Sequence, residues 1–177
     1  MLRFFFCTLL ISIGLLLTSG VAVGGDATTR FVVSENGATV HDNFSGLTWQ
    51  RLVAPKGVTW EAALDYCKTL KLGGTQEWQL PTLKALLSLV TEPVAPSKIY
   101  IDATAFPHTP SEFFWTMSAN ATRVAAVFFD MSKFPTGLGP NGNLGHVRCV
   151  RGTLSPSYKV PVSASYNVMT IPRSDAH

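Results

Sequence analysis

Charged residues are scarce in this sequence, and Lys, Arg, Asp and Glu together make up 14% of its 177 residues. The 14 basic and 11 acidic side chains give a formal net charge of +3. Nucleic-acid binding depends on a concentrated basic stripe, so this composition argues against a nucleic-acid partner. The hydrophobic fraction of 46% argues equally against a disordered chain. A compact domain with a substantial core is the remaining class.

The chain has one long apolar run, Phe4–Leu17, at its start. This run is shorter than the ~20 residues that a transmembrane helix needs. Arg3 precedes it and the small, weakly polar segment Thr18–Gly25 follows it, which is the order of a secretory signal peptide. We therefore expect residues 1–24 to be removed, leaving no membrane span in a protein that is secreted, periplasmic or on the cell surface. An uncleaved N-terminal anchor is the alternative.

Cysteine is rare as well, and one of the three cysteines, Cys7, lies inside the predicted signal peptide. The remaining pair is Cys67 and Cys149. An even number of cysteines in an exported chain favours a disulfide, because the destination is oxidising. Two free buried thiols are the alternative. A bond would close a loop of about eighty residues and stabilise the fold by about 4–5 kcal/mol in the chain-entropy model.

Short signatures of metal and catalytic sites are absent. The sequence contains no Cys-x-x-Cys, His-Glu-x-x-His or Gly-x-Ser-x-Gly motif. His41, His108 and His146 occur singly, without the three or four ligands at workable spacing that zinc needs. We expect no metal, no cofactor and no catalytic residues, and therefore a protein that is not an enzyme. A triad assembled from distant residues is the alternative.

Two helices are predicted in the first half of the chain. Thr59 is a suitable N-cap for the first. Its apolar stripe repeats at helical spacing and comprises Trp60, Ala63, Leu64, Cys67 and Leu70. We expect Gly73-Gly74 to end this helix, because glycine adopts the left-handed conformation at little cost. Thr82 is expected to cap the second helix, Leu83–Val90, which ends before Pro93.

The strands are predicted from short apolar or alternating segments. They are Arg30–Val40 (a strand and its turn), Leu47–Leu52, Phe113–Ser118, Arg123–Met131 and His146–Arg151. The tail, residues 153–177, alternates weakly from Tyr158 to Ile171 and is a candidate edge strand. Strands, two helices and then strands indicate an α+β fold with a mainly antiparallel sheet.

The order of short motifs resembles a bacterial domain family. These motifs are Asp42-Asn43-x-x-Gly46-Leu47-Thr48-Trp49-Gln50, Trp60-x-x-Ala63-x-x-Tyr66-Cys67, Trp78-x-Leu80-Pro81-Thr82 and Val147-Arg148-Cys149-Val150-Arg151-Gly152. They resemble the Lcl C-terminal domain family, also called DUF1566. The similarity covers most of Arg30 to Gly152, so we assign residues 25–152 to one such domain.

The resemblance implies a C-type-lectin-like fold, with two helices packed on a small, mainly antiparallel sheet. It also implies a disulfide from the first helix to the last strand, which are the places of Cys67 and Cys149. The chain departs from the family pattern at Gln79, where arginine is usual, and at Ala85, where glutamate is usual. If the two form an ion pair in relatives, this chain has lost both partners together, at little cost in stability.

Calcium-dependent lectins hold their ion with oxygen-rich triplets. The corresponding triplets here are Glu92-Pro93-Val94 and Trp115-Thr116-Met117. Val94 and Met117 supply no side-chain oxygen, so we expect no calcium site of that pattern.

Two groups of residues are candidates for ligand binding. Among the tryptophans, core packing is the simpler expectation, with Trp115 as the exception because the lectin fold places ligand loops there. A basic cluster would bind the sulfated glycosaminoglycans that the resemblance implies, although an ordinary solvated sheet face is the alternative. The ligand-binding candidates are Trp115, Arg123, Lys133, Arg148 and Arg151.

Together these observations predict an exported, non-enzymatic binding module. Its expected ligand is a sulfated or polyanionic glycan, in the manner of an adhesin. The alternative is a structural or protein-interaction domain of the bacterial envelope that contacts other envelope proteins or self-associates.

Overall fold

The computed structural model describes residues 29–92, 99–120, 122–130, 144–160 and 168–172. The predicted signal segment, residues 1–24, lies outside these ranges, as do Lys133 and Val94. In chain order the elements are β1 (Phe31–Val33), β2 (Thr39–Asp42), β3 (Leu47–Gln50), α1 (Trp60–Thr69), α2 (Leu83–Leu87), β4 (Phe114–Ala119), β5 (Arg123–Val127), β6 (Val150–Arg151) and β7 (Val168–Pro172). This order confirms an α+β architecture.

The strands form two antiparallel sheets instead of the single sheet expected from the sequence. The first sheet has the order β1-β2-β3-β6, and the second has the order β4-β5-β7. The tail contributes β7, which pairs with β5 over its whole length and buries Ile171 completely. Each sheet is therefore completed by a strand that follows residue 149.

Helix α1 begins as predicted and ends earlier. The Thr59 side chain accepts a hydrogen bond from the Ala62 amide at 3.3 Å. The expectation that Gly73-Gly74 ends the helix is wrong, because Leu70 already has an extended backbone at the C-cap. The two glycines, with φ of +61° and +75°, instead form the turn between Leu72 and Thr75.

Helix α2 is shorter than the predicted Leu83–Val90. Thr82 caps it, accepting from the Ala85 amide at 3.1 Å, and Ser88 ends it. The chain then continues in tighter turns, with the amides of Leu89 and Val90 bonded three residues back. Those turns keep both side chains buried, so the predicted apolar face extends past the helix.

The predicted closing strand, His146–Arg151, is wrong in extent. Gly145 bridges Val58, His146 bridges Phe114, and only Val150–Arg151 pairs with β3. The segment therefore changes partner along its length and joins several parts of the fold instead of forming one regular ladder.

The core has two clusters. The first lies on one face of the first sheet, against α2, and contains Val40, Trp49, Leu86, Phe106 and Phe129. The second surrounds α1 and contains Ala63, Cys67, Trp78, Trp115 and Cys149.

The predicted disulfide is confirmed. Cys67 in α1 and Cys149, next to β6, are bonded with their Cα atoms 5.5 Å apart, and both are fully buried. The two cysteines are 82 residues apart in sequence. Since Cys149 directly precedes β6, the bond ties α1 to the end of the first sheet. Within the described ranges, no helix is long and apolar enough to cross a membrane.

Candidate binding site on the first sheet

One row of side chains crosses the first sheet on its exposed face. In the strand register, Val32 lies opposite His41, His41 opposite Thr48, and Thr48 opposite Arg151. Directly opposed residues project from the same face of a sheet. We call His41, Thr48 and Arg151 the polar row.

The guanidinium of Arg151 lies at one end of this row and forms no hydrogen bond with the described residues. The group lies over the ring of Trp78, 5.7 Å from its centroid, and its Nε is buried without a hydrogen-bond partner. Arg151 is half-buried and forms no ion pair in the described part of the chain. A fixed, partly desolvated guanidinium without a counterion is a good receptor for an oxyanion.

The other described arginines are already engaged. Arg30 forms an ion pair with Asp42 at 3.2 Å and also donates to the Ser88 carbonyl. Arg51 donates to two backbone carbonyl groups. Arg123, on the second sheet, donates to the Thr170 hydroxyl at 3.0 Å and to its carbonyl at 3.1 Å.

His41 and Thr48 complete the row by a direct contact. His41 Nδ1 and Thr48 Oγ1 are 3.1 Å apart, and His41 is exposed. Whichever group donates, the pair keeps at least one further N–H or O–H donor for a ligand. The described residues contain no group of three or more metal-ligating side chains, in this row or elsewhere.

Arg148 corrects the sequence-based expectation of a surface cluster, because it is fully buried. Its Nη1 donates to the carbonyl groups of Gln50 and Arg51, and its Nη2 donates to Thr109 Oγ1 at 3.1 Å. The guanidinium also lies 4.7 Å from the ring centroid of Phe106. Desolvation by burial lowers the pKa of Arg148 to about 9.

These contacts make Arg148 a structural arginine. They join the end of β3, the loop at Thr109 and the segment before β6. A surface ligand cannot reach a guanidinium with no exposed area, so Arg148 is not part of a binding face.

Trp115 also takes a core position instead of the ligand contact considered for it. Its side chain is 2% exposed, and its Nε1 donates to the Val58 carbonyl at 2.8 Å. Trp60 and Trp78 likewise donate to backbone carbonyl groups, and Trp49 is fully buried. Buried indoles that donate to the backbone are typical of core packing.

The predicted basic cluster is therefore dispersed. Arg151 lies on the first sheet, Arg123 on the second and Arg148 inside, while Lys133 is outside the described residues. Sequence reasoning found Arg151 but missed His41 and Thr48 as its neighbours. The alternation at Val40-His41-Asp42 was the available signal, but the pairing register was needed to align the three residues.

A shallow cavity lies where this chain departs from the family pattern. It has a volume of about 230 Å³, and Gln79 and Ala85 both line it together with Thr82 and Val150. The main chain of Gln79 bridges Val150 with two hydrogen bonds of 2.9 Å. Gln79 and Ala85, which stand where the family usually has arginine and glutamate, therefore line an open cavity with no ion pair among the described residues that surround it.

The family comparison agrees with the motifs. A family model described as the Lcl C-terminal domain matches residues 38–151, well over half of the chain. The matched range includes the polar row and both bonded cysteines. No curated protein and no solved structure matches at a significant level. The chain therefore belongs to the Lcl C-terminal domain family.

Proposed function

We propose that this protein is an exported, non-enzymatic binding module that recognises a sulfated or otherwise polyanionic glycan through the polar row. The observation that carries the proposal is the guanidinium of Arg151. Among the five described arginines, it is the one guanidinium with neither a hydrogen bond nor an ion pair to the described residues.

The chemistry of the row suits sulfate groups. Arg151 supplies charged N–H donors, and Thr48 and His41 continue the row across two neighbouring strands. Because strands are about 4.8 Å apart, the row spans about 10 Å, which exceeds the size of a single oxyanion. Partial burial over Trp78 strengthens an interaction that bulk water would weaken.

Export is the second part of the proposal. The order of charge, apolar run and small residues at the start of the chain supports it. The Cys67–Cys149 disulfide also supports it, because such bonds persist in oxidising compartments. Expression of the full chain in a bacterial host should yield a protein in the cell envelope or medium that begins near Gly25. Terminal sequencing and mass spectrometry would reveal an intact N-terminus if the segment is not a signal peptide.

A C-type-lectin-like fold is the third part. Two helices beside small antiparallel sheets, and a disulfide from the first helix to the end of the sheet, support it. An experimental structure that could not be superposed on lectin-like domains would contradict it.

Glycan binding is tested on immobilised heparin. We expect the protein to be retained at low salt and eluted by rising salt, because exposed charge pairs are screened. Arg151→Gln should weaken binding about tenfold, since a charged hydrogen bond contributes about 1.5–3 kcal/mol.

Arg123→Gln is the matched control, because it removes the same charge from the second sheet. It should elute close to the unmodified protein. Passage of the unmodified protein through the resin at low salt would refute glycan binding. Equal effects of the two substitutions would refute the location at the polar row.

A further inference from the structure

Strand β1 lies at one end of the first sheet. Among the described strands it pairs with β2 alone, so its outer edge carries no partner from the described residues. Asn43 donates its amide to the Arg30 carbonyl, and Ser34 donates its amide to the Thr39 carbonyl. In an antiparallel ladder this spacing directs the main-chain groups of Val32 towards β2. The N–H and C=O groups of Phe31 and Val33 therefore point outward from the sheet.

This edge lacks the usual protection against strand pairing. Its sequence, Phe31-Val32-Val33, contains no charged residue and no proline. Charged residues and proline are the ones that normally prevent an edge strand from pairing with another chain. Val32 is 48% exposed and Val33 is 38% exposed. The next residue outside the strand, Arg30, is held by Asp42.

We propose that this edge pairs with the β1 edge of a second copy of the chain. The two β1 strands run antiparallel about a twofold axis at Val32, so that Phe31 of each copy lies opposite Val33 of the other. The outward groups of these residues then form four main-chain hydrogen bonds. The inference does not depend on glycan binding, and either can fail without the other.

A second copy fits because the edge is complementary to itself. On one face, the two exposed Val32 side chains meet at the axis as a close, non-hydrogen-bonded pair. On the other face, Phe31 of one copy meets Val33 of the other. The same register sets Arg30 opposite Ser34, and Glu35 opposite Thr29, so no like charges face one another.

Pairing would produce one continuous sheet with the order β6-β3-β2-β1-β1-β2-β3-β6. An axis perpendicular to the sheet keeps equivalent faces on the same side. Both polar rows would then lie on one face, each extended by Val32 towards the axis.

The first experiment measures the mass of the purified full chain against its concentration by sedimentation equilibrium. We expect a rise from one chain mass to two. Val32→Lys places two charges together at the axis and should weaken association by about tenfold or more. Leu52→Lys is the matched control, because Leu52 is an exposed apolar residue outside β1; it should associate normally.

Charge reversal gives a positive test of the same contact. Val32→Glu alone should also remain monomeric. An equimolar mixture of Val32→Lys and Val32→Glu should restore dimers, because opposite charges then meet at the axis. Circular dichroism would establish that each variant is folded before its mass is measured.

The second experiment tests the register by cross-linking. Cα atoms of a non-hydrogen-bonded pair are about 4.5 Å apart, within the range of a disulfide. Val32→Cys should therefore form a covalent dimer on mild oxidation. In the same register two Val33 positions are more than about 7 Å apart, so Val33→Cys should not.

A protein that stays monomeric at every concentration would overturn the proposal. So would equal cross-linking of the two cysteine variants, or dimers that are unaffected by Val32→Lys and by the mixture of opposite charges.

Discussion

The two faces of the first sheet differ in burial, because adjacent residues of the same strands point to opposite faces. Val40, Trp49 and Val150 lie opposite one another on the face that packs against α2, and each is at most 2% exposed. His41, Thr48 and Arg151, each one residue away from these, form the polar row on the other face. The pleat alone separates a core row from a row available to a ligand.

Polar groups are treated differently on the two faces. On the buried face, Asp42 has no exposed area, and its carboxylate accepts from Arg30, from the Ser45 hydroxyl at 2.7 Å and from the Phe44 amide at 3.0 Å. On the open face, the side chain of Arg151 makes no hydrogen bond with the described residues. Burying an unpaired charge is costly, which accounts for the several partners of the Asp42 carboxylate on the buried face.

The register between β3 and β6 keeps the two rows apart, because a slip of one residue would exchange them. Three contacts fix that register. Gln50 Oε1 accepts from the Cys149 amide at 3.1 Å, Arg148 donates to the Gln50 carbonyl, and Cys149 is bonded to Cys67.

The largest expected effect comes from removing the disulfide. Replacing Cys67 and Cys149 together by serine should lower the free energy of unfolding by about 4–5 kcal/mol, because the unfolded chain regains the freedom of an 82-residue loop. Urea denaturation measures the change. Adding a reductant to the unmodified protein should lower its midpoint similarly, while the double variant should not respond to reductant.

The next effect separates Arg148 from Arg151. Arg148→Met leaves the carbonyl groups of Gln50 and Arg51 without their donor, and we expect a loss of about 3 kcal/mol. Arg151→Gln should change stability by less than about 0.5 kcal/mol, as is usual for surface positions. Equal losses of unfolding free energy in thermal or urea denaturation would contradict the view that Arg148 stabilises the fold and Arg151 does not.

A smaller effect compares one residue on each face of the first sheet, Val150 on β6 and Thr48 on β3. Val150→Ala should cost about 1.5–2.5 kcal/mol, because it removes two buried methyl groups from the first core cluster. Thr48→Val, directly opposite Arg151, should cost little in stability and yet reduce heparin retention. If Thr48→Val destabilised the domain as much as Val150→Ala, the face around the polar row would be buried in solution.

The smallest effect concerns Tyr158, whose hydroxyl donates to the Ser88 carbonyl at 3.2 Å near Arg30. Burial raises the pKa of Tyr158 above its usual 10.0, with the charge of Asp42 adding to the rise and that of Arg30 opposing it. The folded chain thus keeps this proton to higher pH than the unfolded chain does. The stability it contributes is present below pH ~10 and is lost as the pH rises further. Urea midpoints measured from pH ~9 to ~11 should fall less steeply for Tyr158→Phe.

Local pattern was sufficient for much of the fold. The helix caps at Thr59 and Thr82 and the stripe containing Cys67 follow from hydrogen-bonding geometry and helical spacing, and they predicted both helices and one end of the disulfide. Spacing did not predict where α1 ends, because Leu70 leaves the helix before the glycines are reached.

Long-range pairing was not predictable in the same way. The sequence predicts one strand from His146 to Arg151, but His146 bridges Phe114 and only Val150–Arg151 pairs with β3, and those contacts depend on tertiary packing. For the same reason, Arg148 and Arg151 could not be distinguished from the sequence. The burial of Arg148 and the partial exposure of Arg151 depend on which side chains the fold places around them.

The pairing of β6 and β7 has a consequence for the timing of folding. β6 completes the first sheet by joining β3, about one hundred residues earlier, and β7 completes the second by joining β5. A chain that emerges from its N-terminus cannot close either sheet until residues 150–172 have followed. During synthesis, both sheets therefore stay open until late, and the long-range contacts that close them form last.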